Sequence, residues 1–398
     1  MNLCFLSNGP FAGFKTSMYS LFASLLKKDY QITLCLILKE DKEVDLSDLD
    51  TRVKVIRKIV KSDGERKIRE KHIWHPTIFK FYLMLYRNLF SKNKKFKLKY
   101  IMYYNQIFNK FFIKGMKETI DLSEYDAVIS FEETFNNYLL ADKIIAKKKI
   151  GFIHPDYEET HFSRLIDRPF LKKLDKICLV SDANYKSFCK AFPILKKKAR
   201  SIVNLLDTDL IDKKMKNIPD DLFAKSNFDI TTVCRFENAH KALDRAVLLA
   251  ERLKNDGYNF KWYFVGNGEY FETMKQSIVD KNLQNYVFLY GNKSNPYPYI
   301  KNSDLFVLQS HYEGYPMCVL EAIYLKVPVL VSNFKSAFEI VKNDRYGIVA
   351  ENNFDAIYEK LVDLITDKNL CYSNLKQKIQ QENVSFGDCS PFENIFKE

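Results

Sequence analysis

The sequence predicts an α/β protein built from two doubly wound, parallel-sheet domains. Three observations carry that expectation. The chain has 398 residues, more than one ordinary core holds. Short apolar runs alternate with stretches of helical spacing, once before residue 207 and again after residue 228. Between the two series the chain turns polar, with Lys213, Lys214, Lys216, Pro219, Asp220 and Asp221. The expected division is a first domain over 1–207, a linker over 208–227, a second domain over 228–380 and a tail over 381–398.

The first series opens strand, loop, helix. Leu3–Leu6 is a short apolar run, Ser7–Gly13 a glycine-containing loop, and Met18–Leu26 has helical spacing. Ile32–Leu38 is a buried strand and Val53–Ile56 a third. Ala127–Ser130, Lys149–Ile153, Ile177–Val180 and Ser201–Asn204 follow as strand candidates. In the second series the strands are Asp229–Cys234, Lys261–Val265, Val287–Tyr290, Leu305–Leu308 and Val327–Val331. Helical patterns separate them over Leu243–Leu253, Tyr270–Val279, Met317–Leu325 and Phe354–Ile365. Runs that are apolar on both faces belong to parallel sheets covered on both sides. In such sheets ligands bind beyond the carboxyl ends of the strands, so two domains of this kind are expected to turn two sets of loops toward a shared cleft.

Composition narrows the function classes. Hydrophobic residues make up 46% and charged residues 28%, as in a folded rather than a disordered chain. Met1–Asn8 reads as a first strand and not as a signal peptide. No run approaches the roughly 18–20 apolar residues of a membrane span, so the expected location is the cytoplasm, with any membrane contact peripheral. Cys4, Cys35, Cys178 and Cys234 sit within apolar runs, and no CxxC pair is present. Free thiols are expected, without zinc or disulfides.

The segment Ser310–Leu330 is the most informative. A buried strand ends in a loop containing Gly314 and Pro316, and a helix then opens. A helix N-terminus at a ligand site offers free N–H groups and the positive dipole end to an anion such as a diphosphate. Glu313 precedes the helix and Glu321 lies within it. A carboxylate can accept hydrogen bonds from neighbouring hydroxyls of a diol.

These residues resemble the large retaining GT-B glycosyltransferase family that contains bacterial mannosyl-, glucosyl- and N-acetylhexosaminyl-transferases. Glu313 and Glu321 match its E-x7-E motif, inside a pattern of the type E-G-F-x-x-V-x-L-E-A-x-x-x-x-x-P-V. The resemblance implies that Glu313 holds the donor sugar's hydroxyls and Glu321 the ribose diol. Pro316 stands where glycine is frequent, which leaves Met317 and Cys318 as the phosphate N–H donors. Arg235 and Lys241 match the family's diphosphate-binding pair, with Cys234 and Ala242 where glycines are common. Two fixed cations would stabilise the leaving diphosphate without a metal. Gly266, in Phe264–Gly268, matches a loop near the nucleotide base and lacks the third glycine of a dinucleotide fingerprint. Asn204–Asp207 resembles an element at the domain junction. Asp207-Thr-Asp209 is formally a DxD triplet, read here as a linker feature and not a Mn²⁺ site.

In the first half, His154 follows a buried strand, where the family often has a histidine that contacts the donor sugar or helps activate the acceptor. The loop Gly9–Gly13 matches the family's glycine-rich loop loosely. The implied catalytic set is therefore His154, Glu313, Arg235 and Lys241. The implied donor-binding set is Glu321, Met317, Cys318, Gly314, Gly266 and Gly13. No metal and no cofactor are expected beyond the nucleotide-sugar donor, with UDP-sugar favoured. The resemblance also implies that the first domain, 1–207, binds the acceptor and the second, 228–380, the nucleotide-sugar donor, with the tail folded back on the first domain, as C-terminal helices often do in the family.

Charge adds a last feature. The net charge is +12, and the segment Arg66–Lys117 accounts for all of it, with fourteen Lys or Arg against Glu70 alone. The segment reads as two helices broken around Ser91–Lys95 and is rich in aromatics. A solvated lysine-rich face, an anionic-membrane patch and a nucleic-acid surface all fit such a composition. The membrane patch is preferred, because no nucleic-acid motif accompanies it. The function expected is transfer of a hexose or N-acetylhexosamine to a lipid-linked glycan in bacterial surface polysaccharide assembly, at the inner face of the cell membrane. A GT-B epimerase or hydrolase, or a non-catalytic binding subunit, is the alternative.

Overall fold

A computed structural model describes residues 1–9, 14–40, 43–62, 94–342, 345–382, 384 and 386–397. The chain divides into two compact units, one comprising Met1–Val203 with Asp388–Glu398 and the other Asn204–Gly387.

The first unit is built on a seven-stranded parallel sheet of β1 (Asn2–Ser7), β2 (Gln31–Leu38), β3 (Lys54–Ile59), β4 (Ala127–Ser130), β5 (Lys149–Ile153), β6 (Lys176–Leu179) and β7 (Ala199–Ser201). Its spatial order is β3-β2-β1-β4-β5-β6-β7. The order reverses direction beside β1, which makes the β1/β4 edge the switch point. Leu3, Cys4, Phe5 and Leu6 have no exposed surface, as expected of a strand covered on both faces. Edge strand β3 is largely exposed and carries Lys54, Arg57 and Lys58, charges that discourage edge-to-edge pairing.

Helix Lys94–Gly115 begins where the sequence suggested a break. The first of the two expected basic helices, and most of the segment Arg66–Lys117, lie outside the described residues. Phe112 and Ile113 bring the end of this helix into the core.

Helix Ser390–Lys397 completes the first unit. Phe392 is fully buried, its ring 6.4 Å from that of Phe5 and 6.0 Å from that of Phe152. Lys28 pairs with Glu393 at 2.5 Å, and Lys148 donates to the Ile395 carbonyl at 2.6 Å. Burying one phenylalanine contributes about 2–3 kcal/mol, so the ring outweighs the more exposed ion pair in fixing this helix.

The second unit has a six-stranded parallel sheet of β8 (Asp229–Val233), β9 (Lys261–Val265), β10 (Val287–Gly291), β11 (Leu305–Leu308), β12 (Val329–Ser332) and β13 (Gly347–Ala350). The order β10-β9-β8-β11-β12-β13 again reverses beside its first strand. Polar residues inside the sheet are satisfied. Trp262 Nε1 donates to Thr232 Oγ1 at 3.0 Å, and Thr232 Oγ1 donates to the Val307 carbonyl at 2.7 Å, linking β9, β8 and β11. Helix Leu243–Asn255 buries Leu243, Ala246, Val247, Ala250 and Leu253, the i, i+3, i+4 stripe of a core-facing helix.

Residues 208–227, expected as a linker, begin with helix Thr208–Met215 and belong to the second unit. Asp207 caps this helix by accepting from Leu210 N at 3.2 Å, and Ile211 is buried in the unit's core. The surrounding lysines mask a single anchoring residue, which is why the stretch read as polar throughout. The capping role also gives the first carboxylate of the Asp207–Asp209 triplet a structural use.

Candidate functional site

The loops after β8 and β11 bring the sequence-distant candidates of the second unit together at its switch point. Lys241 Nζ lies 2.5 Å from Glu313 Oε1, and Ser310 Oγ donates to the same oxygen at 2.6 Å. Both side chains are mostly buried, at 17% and 12% exposed. Burial disfavours the Lys241 ammonium, but the attraction of Glu313 more than offsets this and raises its pKa. The lysine is a fixed cation at any physiological pH. Among the described residues, no group donates to Oε2 of Glu313, so one carboxylate oxygen is left to accept from a ligand.

Local backbone explains how Lys241 arrives there. The short helix Asn238–Lys241 ends at Ala242, which is fully buried and left-handed at φ 50° and ψ 45°. Helix Leu243–Asn255 starts again at once. The turn between the two helices aims Lys241 at the strand ends, and its left-handed residue is the position where a glycine was expected. Arg235 is on the same loop but more exposed, donating to Glu237 Oε2 at 2.9 Å. His240 Nδ1 lies 2.8 Å from that oxygen as well.

The 265–270 loop packs directly on this one. Phe236 N donates to the Asn267 carbonyl at 2.9 Å. A Cβ on Gly266 would sit 1.9 Å from the Cys234 carbonyl oxygen, and its φ is 141°, so this position requires glycine.

Helix Met317–Tyr324 opens after Gly314, with Pro316 as its N-cap at φ −68° and ψ 115°. The N–H groups of Met317 and Cys318 are in the first turn, which has no intrahelical acceptors. Burial pushes the Cys318 thiol well above its ordinary pKa, which makes it a neutral neighbour of the Lys241–Glu313 pair. Glu321 lies one turn further on and is 5% exposed. Burial pushes its carboxyl up to about 7, against a modest pull from Lys214. No described side chain hydrogen-bonds its carboxylate. A buried carboxyl without a protein partner is a costly feature unless a ligand supplies the hydrogens.

A supporting set had no role in the sequence reading. Arg245, 9% exposed, donates from Nη2 to the Gln309 carbonyl and, at 2.9 Å, to Asn352 Oδ1. Asn352 Nδ2 in turn donates to the His311 carbonyl at 2.9 Å. Gln309 Nε2 donates to the Lys241 carbonyl at 3.3 Å. These bonds fix the backbone ahead of Glu313, at Gln309 and His311, and that of Lys241. An arginine on the apolar stripe of Leu243–Leu253 was the available signal.

His154 belongs to the first unit, just past β5. Its Nε2 lies 2.9 Å from the Phe131 carbonyl oxygen, and its ring contacts that of Phe14 at 5.8 Å. Burial lowers its pKa to about 4, so the ring is neutral near pH 7. Gly13 lies outside the described residues.

Known proteins are similar to this chain in sequence and in fold. Residues 214–382 match the family model described as glycosyl transferases group 1. A Campylobacter jejuni N-acetylgalactosamine-N,N'-diacetylbacillosaminyl-diphospho-undecaprenol 4-alpha-N-acetylgalactosaminyltransferase is 27% identical over 222 residues, covering 54% of this chain and 58% of the relative. An Escherichia coli UDP-Gal:alpha-D-GlcNAc-diphosphoundecaprenol alpha-1,3-galactosyltransferase is 35% identical over 119 residues, 29% of this chain and 31% of the relative. The chain spans about half the length of the curated relatives it matches. The Anabaena protein HepE, solved in complex with UDP, superposes with a TM-score of 0.67 at 15% identity, covering 100% of this chain and 99% of the other. The fold is GT-B, and the second unit carries the sequence pattern of group 1 glycosyltransferases.

Proposed function

We propose that this chain is a retaining, metal-independent glycosyltransferase. It moves a hexose or N-acetylhexosamine from a nucleoside-diphosphate sugar, with UDP-sugar favoured, to a hydroxyl of a lipid-linked glycan in bacterial surface polysaccharide assembly. The observation that carries the reading is the Lys241–Glu313 pair at the switch point of the second sheet, with Ser310 on the same carboxylate oxygen. It joins a fixed cation for a leaving phosphate to a carboxylate with one oxygen open to sugar hydroxyls.

Each residue has a role in this reading. Glu313 Oε2 accepts from the donor sugar. Lys241 and Arg235 stabilise the nucleoside diphosphate as the C1–O bond to phosphate breaks. The N–H groups of Met317 and Cys318 hold the phosphate oxygens at the helix N-terminus. Gly266 lets the 265–270 loop approach the nucleotide, and Glu321 accepts from the ribose diol. The new C1–O bond forms on the face the phosphate leaves, and the acceptor hydroxyl's proton passes to the departing phosphate oxygen. His154 is assigned to the sugar-transfer chemistry from the first unit.

The names of the Campylobacter and Escherichia relatives, both of which specify undecaprenol-linked acceptors, support a lipid-linked acceptor. Among the described residues no helix is long and apolar enough to cross a membrane. Contact with the inner face of the membrane is assigned to the basic segment Arg66–Lys117 on its composition, fourteen Lys or Arg against Glu70 alone. Co-sedimentation with anionic liposomes at low salt tests this, and indifference to them would remove it.

A donor screen tests the central reading. Thermal shifts are measured with UDP, GDP and ADP sugars, without added metal, on wild type and Glu321→Ala. A shift with one nucleotide that the variant loses is expected. Silence with all three would overturn the reading. Release of free sugar without any acceptor would instead favour a hydrolase or epimerase.

A further inference from the structure

Arg235 and Glu237 flank Phe236, the anchor of the loop after β8. Phe236 is fully buried, its ring 5.4 Å from that of Phe271. Its N–H donates to the Asn267 carbonyl at 2.9 Å, and its carbonyl accepts from Tyr270 N at 3.0 Å. With Phe236 turned inward, its two neighbours emerge on one side of the chain, and Glu237 N closes the turn on the Arg235 carbonyl at 2.8 Å. Arg235 Nη2 then donates to Glu237 Oε2 at 2.9 Å. Among the described residues the guanidinium has no other partner.

Glu237 has a second partner on the same oxygen. His240 Nδ1 lies 2.8 Å from Oε2, and because a carboxylate only accepts, the imidazole is the donor. Burial works against the charge of Glu237, but the bonds from His240 and Arg235 more than offset this and hold the carboxyl below its ordinary pKa. His240 is also fixed from the loop that carries Glu313. Its carbonyl accepts from His311 N at 2.7 Å, and its ring lies 4.4 Å from that of Tyr312. The two donors are therefore held unequally. The side chain of Arg235 is 57% exposed, against 25% for His240 and 16% for Glu237. One bond from an exposed guanidinium is readily exchanged, and the imidazole stays on the carboxylate when the arginine leaves.

This arrangement bears on the diphosphate. A guanidinium can give two parallel N–H bonds to phosphate oxygens, while here one N–H goes to a carboxylate that a phosphate must displace. We propose that Glu237 competes with the nucleoside diphosphate for Arg235, and that His240 keeps the carboxylate satisfied once the arginine has moved. Glu237 is thus a positioning residue that acts through Arg235. It keeps donor binding loose enough for the spent diphosphate to leave after transfer. The inference deepens the proposed donor site and rests on it.

Calorimetric titration of the full chain with UDP tests it. Glu237→Gln is expected to tighten UDP binding about fivefold. Added to Arg235→Ala, the same change should alter the affinity by less than about twofold, because the arginine it acts through is gone. His240→Phe keeps a ring against Tyr312 and removes the competing donor, so it should weaken UDP binding about threefold. A structural role for Glu237 would instead weaken binding in Glu237→Gln. The inference is overturned if Glu237→Gln leaves the affinity unchanged or lowers it. It is also overturned if Glu237→Gln tightens binding equally without Arg235, which would be plain repulsion between carboxylate and nucleotide. Should the melting curve show Glu237→Gln unfolded, His240→Phe decides alone, and unchanged or tighter binding there overturns the inference. Wild type silent toward UDP, GDP and ADP would overturn the donor reading and this inference together. UDP bound by wild type and equally by Glu237→Gln and His240→Phe overturns the inference alone.

Discussion

Lys241 Nζ and Glu313 Oε1 meet at 2.5 Å although 72 residues separate them in the sequence. Lys241 hangs from the loop after β8 and Glu313 from the loop after β11, and these strands are neighbours in the sheet. The pair therefore exists only when the parallel order is formed. It stores chemistry as well as stability, because a ligand that engages Glu313 Oε2 does so beside a cation already in place.

Removing one partner and removing both should have different effects. Lys241→Met leaves a mostly buried carboxylate uncompensated and is expected to cost about 3 kcal/mol. Glu313→Leu alone strands the ammonium at similar cost. The double variant should recover most of that loss, since an apolar pair of similar volume is often as stable as the ions. Chemical denaturation of the four proteins gives the cycle. Transfer should stay at least 10²-fold down in all three variants, and recovery of activity with stability would show that the pair is structural only.

Glu321 should make the unliganded protein less stable as pH rises. Its carboxyl is pushed up to about 7 by burial, against about 4.3 in an unfolded chain. Between those values the folded state binds the proton and the unfolded state does not, so stability falls as pH increases and the full cost is reached above pH 7. The size is about 3–4 kcal/mol. Glu321→Gln should accordingly melt higher than wild type at pH 8, match it near pH 4, and fail to respond to UDP. A variant that melts lower at pH 8 would show that the carboxylate has a stabilising partner.

How much of this was legible in sequence depends on the kind of signal. The strands of both sheets were readable because parallel strands are apolar on both faces, and Leu3–Leu6 and Leu305–Leu308 could hardly be anything else. β13 was not recovered, since Gly347–Ala350 is only four residues long and partly exposed. Helix Thr208–Met215 was hidden because one buried isoleucine among lysines gives no stripe. In the second unit, Glu313, Glu321, Arg235 and Lys241 were singled out through the motif that resembles the GT-B family, and the fold brings Lys241 and Glu313 together. Arg245 and Asn352 were not, because bonds from a side chain to a distant carbonyl leave no local pattern.

Two glycines with positive φ should respond unequally to alanine. Gly257 ends helix Leu243–Asn255 with φ 83° and has no atom within 4 Å of a built Cβ. Gly257→Ala then costs only the left-handed penalty of about 1 kcal/mol. At Gly266 the new Cβ would collide with the Cys234 carbonyl at 1.9 Å, so the two loops must move apart. Gly266→Ala should cost about 2–3 kcal/mol and weaken UDP binding, whereas Gly257→Ala should leave UDP binding unchanged. Equal losses in both variants would mean that the 265–270 loop does not approach the nucleotide.

The tautomer of His154 offers a direct check on the first unit. Burial holds the ring's pKa near 4, and the Phe131 carbonyl requires the proton on Nε2. Nitrogen-15 shifts should therefore report a neutral ring with Nε2–H and bare Nδ1 from pH 8 down to about pH 5. A folded-state pKa below the unfolded value of about 6.5 means that the unfolded chain takes the proton first. Stability should fall as pH drops from 6.5 toward 4. His154→Gln, which cannot titrate, should flatten that part of the curve. Protonation of the ring in the folded protein at pH 6 would show that burial beside the Phe131 carbonyl does not hold it neutral.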